Sequence, residues 1–193
     1  MKAKKLERAL KNATSQSSTR PILQCVHYDP DGSITATDSH IMLRLDSMHS
    51  LKQPFNLNLQ TFREEDGIYP DTLRLIPDNK TNSASFLLSA ADITDVLGFL
   101  KALKTEVVTL AKADAGLTLK TKTQEYLLSI QDFKGALKKL SVTANNLFKC
   151  LQFYSDYLSG AQDKVRVSYY GDLSPVLFES KQATIVVTPV RVF

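Results

Sequence analysis

The chain has no tryptophan, two cysteines, three histidines and only seven glycines in 193 residues, and each shortage removes a class of function. Cys25 and Cys150 lie far apart and neither belongs to a C-x-x-C, so no disulfide framework, thiol-redox motif or zinc pattern is present. His27, His40 and His49 are not spaced with the cysteines as metal ligands are, and no metal or other cofactor is expected. Two isolated cysteines read as buried, reduced thiols of a cytoplasmic protein. No Gly-x-Gly-x-x-Gly, P-loop or Gly-x-Ser-x-Gly elbow occurs, which argues against dinucleotide, nucleotide-triphosphate and hydrolase chemistry. Long apolar runs are missing too: no window reaches the roughly 18 residues of a membrane span, and MKAKKLERALKNA has no apolar core of a signal peptide.

What is present is a soluble composition, 43% hydrophobic and 23% charged, with its charge unevenly placed. Residues 1–20 hold six cations (Lys2, Lys4, Lys5, Arg8, Lys11 and Arg20) against the single acid Glu7, whereas the whole chain carries only +4. Leu6, Ala9, Leu10 and Ala13 recur at helical spacing, so the chain opens with a basic amphipathic helix over 4–14. Its free face is either a polyanion surface or a solvated helix flank.

Strand-like runs follow at 21–28, 33–38, 40–46 and 55–59, with Asp29-Pro30-Asp31-Gly32 as a hairpin turn. A second round reads strand 86–89, helix 91–104, then strands 106–112, 117–122 and 125–131. A third reads strand 136–142, helix 144–158, then strands 164–170, 175–180 and 183–192. The period is roughly 55–60 residues, and one helix per three or four strands predicts an α+β fold with helices on one face of antiparallel sheets. The Pro-, Asn- and Ser-rich stretch 68–85 reads as a domain linker, and Asp132–Gly135 as an internal joint.

Asp38, Ser39 and His40 invite a catalytic reading. Neighbours on a strand point to opposite faces, however, so Ser39 and His40 cannot meet as a nucleophile–base pair. Glu64-Glu65-Asp66 before Gly67 reads as solvated turn rather than metal site. No enzyme is expected.

Ala36–Met42, residues 67–77 and the terminal VVTPVRVF together resemble the bacterial DNA polymerase III β subunit, the sliding clamp. Ala36-Thr37-Asp38-Ser39-His40-Ile41-Met42 resembles the family's Ala-Thr-Asp-Gly-His-Arg-Leu segment, with Ser39 for Gly and Ile41 for Arg. Residues 67–77, GIYPDTLRLIP, resemble the Phe-Pro-Asp-Tyr joint between the middle and C-terminal domains. The terminal VVTPVRVF resembles the family's closing Met-Pro-Met-Arg-Leu. The resemblance implies the DNA-clamp fold of β-α-βββ units, with a truncated half-domain over 1–78 and a complete C-terminal domain over 79–193. The family's N-terminal domain has no counterpart, as expected of a phage- or plasmid-type paralogue. Three units stand where a full subunit has six, so a closed ring of twelve would need several copies, and a homo-oligomer is implied.

It also implies two surfaces. Lys2, Lys4, Lys5, Arg8, Lys11, Lys101 and Lys104 would face duplex DNA without sequence preference. A peptide pocket for short motifs of DNA polymerase and clamp-loader-type proteins would use Leu23, Thr37, Ser39, His40, Met42, Pro70, Arg74, Leu75, Leu173, Pro175, Thr188, Pro189 and Val190. The implied function is that of a processivity factor. The alternative is a non-encircling adaptor or decoy that binds clamp-interacting peptides without loading on DNA.

Overall fold

The apolar stripe Leu6–Ala13 does wind into a helix, α1 (Ala3–Ala13), which buries Leu10 and Ala13 and leaves its lysines outward. The structure is a computed structural model that describes residues 1–77, 82–103, 107–113, 116–128, 130–160 and 162–192. After α1 come β1 (Cys25–Tyr28), β2 (Ile34–Thr37), β3 (Ile41–Leu45), β4 (Phe55–Asn58) and β5 (Arg63–Glu64). The next unit is β6 (Ala84–Ser89), α2 (Ala90–Ala102), β7 (Val107–Ala113), β8 (Gly116–Lys120) and β9 (Glu125–Leu128), followed by β10 (Gln131–Gly135). The last is β11 (Leu140–Thr143), α3 (Ala144–Tyr157), β12 (Lys164–Tyr169), β13 (Val176–Ser180) and β14 (Ala183–Val187). Among the described residues no helix is long and apolar enough to cross a membrane.

Among the described residues all pairings are antiparallel: ten strands form one sheet in the order β10-β6-β12-β13-β14-β3-β2-β1-β4-β5, and four form another, β11-β7-β8-β9. The two later units exchange their leading strands: β6 pairs with β12 of the third unit, and β11 pairs with β7 of the second. This reciprocal exchange, with α2 packed on α3, is an internal pseudo-two-fold. The first unit joins through β3, which pairs with β14, so a single sheet runs across the seam. On its inner side α1 packs on α3, and the helices form one layer in the order α1-α3-α2.

Local signals explain the helix ends. Ser89 caps α2 by accepting from the Asp92 amide while the Asp92 carboxylate accepts from the Ser89 amide at 2.8 Å, a reciprocal capping box. The Thr143 hydroxyl caps α3 through the Asn146 amide. In the 29–32 turn, Gly32 has φ 90, and a Cβ there would stand 2.8 Å from the His49 carbonyl oxygen.

Four expectations are corrected. Pro21–Gln24 forms a short 3-10 turn rather than the start of a strand, because Pro21 has no N–H for a ladder and its fixed φ suits a helical first turn. Asp132–Gly135 is no joint: it lies in β10, which adds to the edge of β6 through a bulge between Gln131 and Lys134. The expected strand 125–131 is therefore divided between two sheets. Residues 136–139 stay outside β11, and the two-residue β5 had no sequence signal because both its side chains are exposed. The proposed domain boundary at 78 falls outside the described residues.

Candidate docking seam and nucleic-acid face

The strands around the seam are apolar on both sides, and period-two alternation sorts them. Ile41, Leu43 and Leu45 of β3, Ala183, Ile185 and Val187 of β14, and Val176 and Phe178 of β13 enter the main core beneath the helices. Met42, Val186 and Leu177 therefore point to the opposite, outer face. Register sets Met42 opposite Val186 and Val186 opposite Leu177, so the three form a row across the seam. They make a separate apolar cluster with the half-buried Ile76 and Tyr170 packed against it.

The segment 65–77 crosses this outer face and is pinned from below. The Asn56 amide donates to the carbonyls of Glu65 and Gly67 at 3.3 and 3.0 Å. Its Oδ1 lies 2.7 Å from His27 Nδ1, and since the amide nitrogen is already committed to carbonyls, His27 must donate there. Tyr69 stacks on His27 with ring centroids 4.8 Å apart, and burial raises its hydroxyl pKa above the usual range. The Tyr170 hydroxyl reaches the Pro77 carbonyl at 3.5 Å. The segment nevertheless leaves Ile68 95%, Leu73 52% and Leu75 38% exposed.

Thr37–Ile41 forms a tight corner. Asp38 Oδ1 accepts from the His40 and Ile41 amides at 2.8 and 2.9 Å, and the Thr37 hydroxyl donates to the Ile41 carbonyl at 2.8 Å. Ser39 sits at φ 77, a left-handed backbone that glycine adopts more easily. Arg20 donates to its hydroxyl at 3.3 Å, and no hydrogen bond joins Ser39 to His40. Across the seam, the Thr188 amide and hydroxyl donate to the His40 carbonyl at 3.0 and 3.1 Å. The Asp38 carboxylate also lies 3.6 Å from Lys149 of α3.

The expected pocket residues divide among four places. Leu23, Ser39 and His40 line an open cleft of about 1030 Å³ whose walls carry the cations Lys11, Arg20 and Lys149. Met42 and Thr37 are buried in the outer-face row. Pro70, Arg74 and Leu75 are exposed on the crossing segment, where Arg74 pairs with Asp71 at 2.8 Å. Leu173 and Val190 line a smaller cleft with Lys139 and Asp172, while Pro175, Thr188 and Pro189 are half-buried nearby in sequence. Sequence reasoning missed Val186, Leu177, Ile76 and Tyr170. Alternation could have found Val186, because it shares a strand face with Thr188.

On the helix layer the basic residues of α1 are only partly free. Lys5 and Arg8 both reach Asp156 of α3, at 2.6 and 2.5 Å, and Lys11 pairs with Glu7 at 2.8 Å. Burial disfavours the Asp156 carboxylate, but the hydrogen bonds from Lys5 and Arg8 outweigh it and hold the pKa below its usual value. Lys2, Lys4 and Lys101 are exposed and make no ion pair among the described residues. Lys104 lies outside those residues.

No protein-family model matches the sequence, and no curated protein matches it. The solved structures do. The DNA polymerase sliding clamp of Bacillus subtilis superposes with a TM-score of 0.82 at 20% identity, over 98% of this chain. The fold is that of the bacterial sliding clamp. The β subunit of Thermotoga maritima gives 0.77 at 13% identity over 97% of this chain, and the Bartonella birtlesii sliding clamp bound to griselimycin gives 0.76 at 16% over 100%. The chain spans only 62%, 64% and 65% of those three clamps. Its α+β clamp fold therefore accounts for its whole length and for under two thirds of theirs.

Proposed function

We propose that the chain is a sliding-clamp-like processivity factor that contacts duplex DNA through its helix layer and docks short replication-protein motifs at the outer seam. One observation carries the reading: the segment that crosses the covered row Met42–Val186–Leu177 leaves the apolar side chains of Ile68, Leu73 and Leu75 exposed. Exposed apolar side chains with a few polar orienters beside them suit a short extended peptide. Such a protein holds partners together and needs no catalytic group. Its two buried free thiols suit a reducing cytoplasm.

The test is a titration with a labelled peptide of the clamp-binding type. Met42 is 1% exposed, so a charge there would disturb folding, and Leu75→Glu is the cleaner probe. It is expected to weaken the peptide at least about tenfold, or about 1.4 kcal/mol. Unchanged affinity would remove the seam assignment.

The adaptor reading is favoured by the Lys5–Asp156–Arg8 contacts, which leave less free charge on α1 for phosphates. Nicked circular and linear duplexes separate the two. An encircling clamp stays on the circle and runs off linear ends, whereas an adaptor is retained on neither.

A further inference from the structure

The outer-face row is apolar and yet closed to solvent. Met42, Val186 and Leu177 are at most 1% exposed, although they lie apart from the main core. The outer face of an antiparallel sheet stays wet unless something packs on it. Here the cover is Ile76 and Tyr170, which rest on the row and are themselves half-buried. Ile76 belongs to the crossing segment, so a piece of the chain already occupies the row.

That segment is held unevenly. Its first part is fixed by the Asn56 amide and by the stacking of Tyr69 on His27. From residue 71 the hydrogen bonds close on the segment itself. Asp71 accepts from the Leu73 amide at 3.2 Å and from Arg74 at 2.8 Å. The Leu75 and Ile76 amides donate to the Thr72 and Leu73 carbonyls at 3.0 and 3.1 Å, which makes a short 3-10 turn. Among the described residues no hydrogen bond joins 71–76 to the rest of the chain. The Tyr170 hydroxyl meets the Pro77 carbonyl at 3.5 Å, a long and weak bond. Leu73, Arg74 and Leu75 face solvent, and Ile76 is the apolar side chain by which the turn reaches the row.

We infer that Ile76 is a built-in plug: its side chain fills the place on the row that a partner's apolar anchor would take, and residues 71–77 lift away to admit one. The class of partner, a short apolar peptide, rests on the docking function proposed above, whereas the plug itself does not. A hinge after the pinned Tyr69 lets the turn move as a unit with its internal bonds intact. Lifting it uncovers the three row residues and leaves the main core closed, so opening needs much less than global unfolding. The tethered isoleucine also sets a threshold for partners. It competes at high effective concentration, so a large apolar anchor displaces it and a small one does not.

Thiol labelling of the whole chain tests the plug without any partner. Val186→Cys places a thiol of similar size in the row, and Met42→Cys gives a second reading of it. Native Cys150, 0% exposed in the main core, times global unfolding in the same molecule and shows that each variant is folded. The row thiol is expected to react at least about tenfold faster than Cys150. Adding Ile76→Ala is expected to speed it about tenfold more, with Cys150 unchanged. A row thiol that reacts no faster than Cys150, or that is indifferent to Ile76→Ala, would overturn the inference. Titration with a labelled peptide of the clamp-binding type then separates the two readings. Ile76→Ala is expected to bind it about tenfold more tightly than wild type, because the open state is no longer rare. Equal affinities would overturn the plug. Binding to neither protein would remove the docking function and leave the plug to be decided by the labelling rates.

Discussion

Ser39 occupies the corner between β2 and β3 at φ 77, and the surrounding hydrogen bonds leave the backbone little alternative. A β-branched residue tolerates that conformation worse than serine does, so Ser39→Val is expected to cost about 1–2 kcal/mol in urea unfolding. A variant as stable as wild type would show that the corner relaxes. At the same corner Asp38 accepts from two backbone amides and Ser39 from Arg20, so Asp38, Ser39 and His40 do not form the side-chain hydrogen-bonded chain of a nucleophile, base and acid. Cys25 and Cys150 are likewise out of reach. Burial pushes the Cys25 thiol to about 11, with Glu65 adding to the rise, and burial raises Cys150 as well. Neither thiol is expected to react with a disulfide reagent at neutral pH until denaturant is added, and rapid labelling of the native chain would contradict the burial. Individual roles such as these were only partly legible beforehand. That Asp38 holds the corner follows from its residue type, but the partner of Arg20 or Lys149 depends on segments far away in sequence.

Among the elements, α1 joins sequence to function most directly. Its stripe of Leu6, Ala9, Leu10 and Ala13 and its outward lysines are visible in one dimension, because a helix repeats every 3.6 residues. What one dimension hides is Asp156, 148 residues beyond Arg8, which takes two of those cations. Asp156→Asn is expected to release them and to strengthen duplex binding at low salt with a steeper salt dependence, if the helix layer faces DNA. Charge reversal at Lys4, Lys5 and Arg8 is expected to abolish it. Filter-binding titrations across salt concentrations measure both, and indifference to both changes would detach α1 from DNA. The Asp156 contacts also carry a pH dependence. A carboxylate held below its unfolded pKa contributes stability that is present above the unfolded value and lost as pH falls through the lower, folded one. The acid limb of a stability profile should therefore flatten in Asp156→Asn.

For the molecule as a whole, the β3–β14 pairing and the α1-α3-α2 layer bind the first unit to the last. A sheet and a core continuous across the seam predict one cooperative unfolding transition. Two resolved transitions in urea, followed by far-ultraviolet dichroism, would show that the units melt separately. By itself the sequence determined the local elements: three helices, most of the strands, the 29–32 turn and the order of units. Those follow from periodicity, capping and turn chemistry, which act over a few residues. Only the tertiary structure decided the exchange of β6 and β11, the division of residues 125–135 between two sheets, and the assembly of Met42, Leu177 and Val186 into one outer-face row. Strand register and long-range pairing set these features, and alternation in a strand buried on both faces does not say which neighbour it will meet.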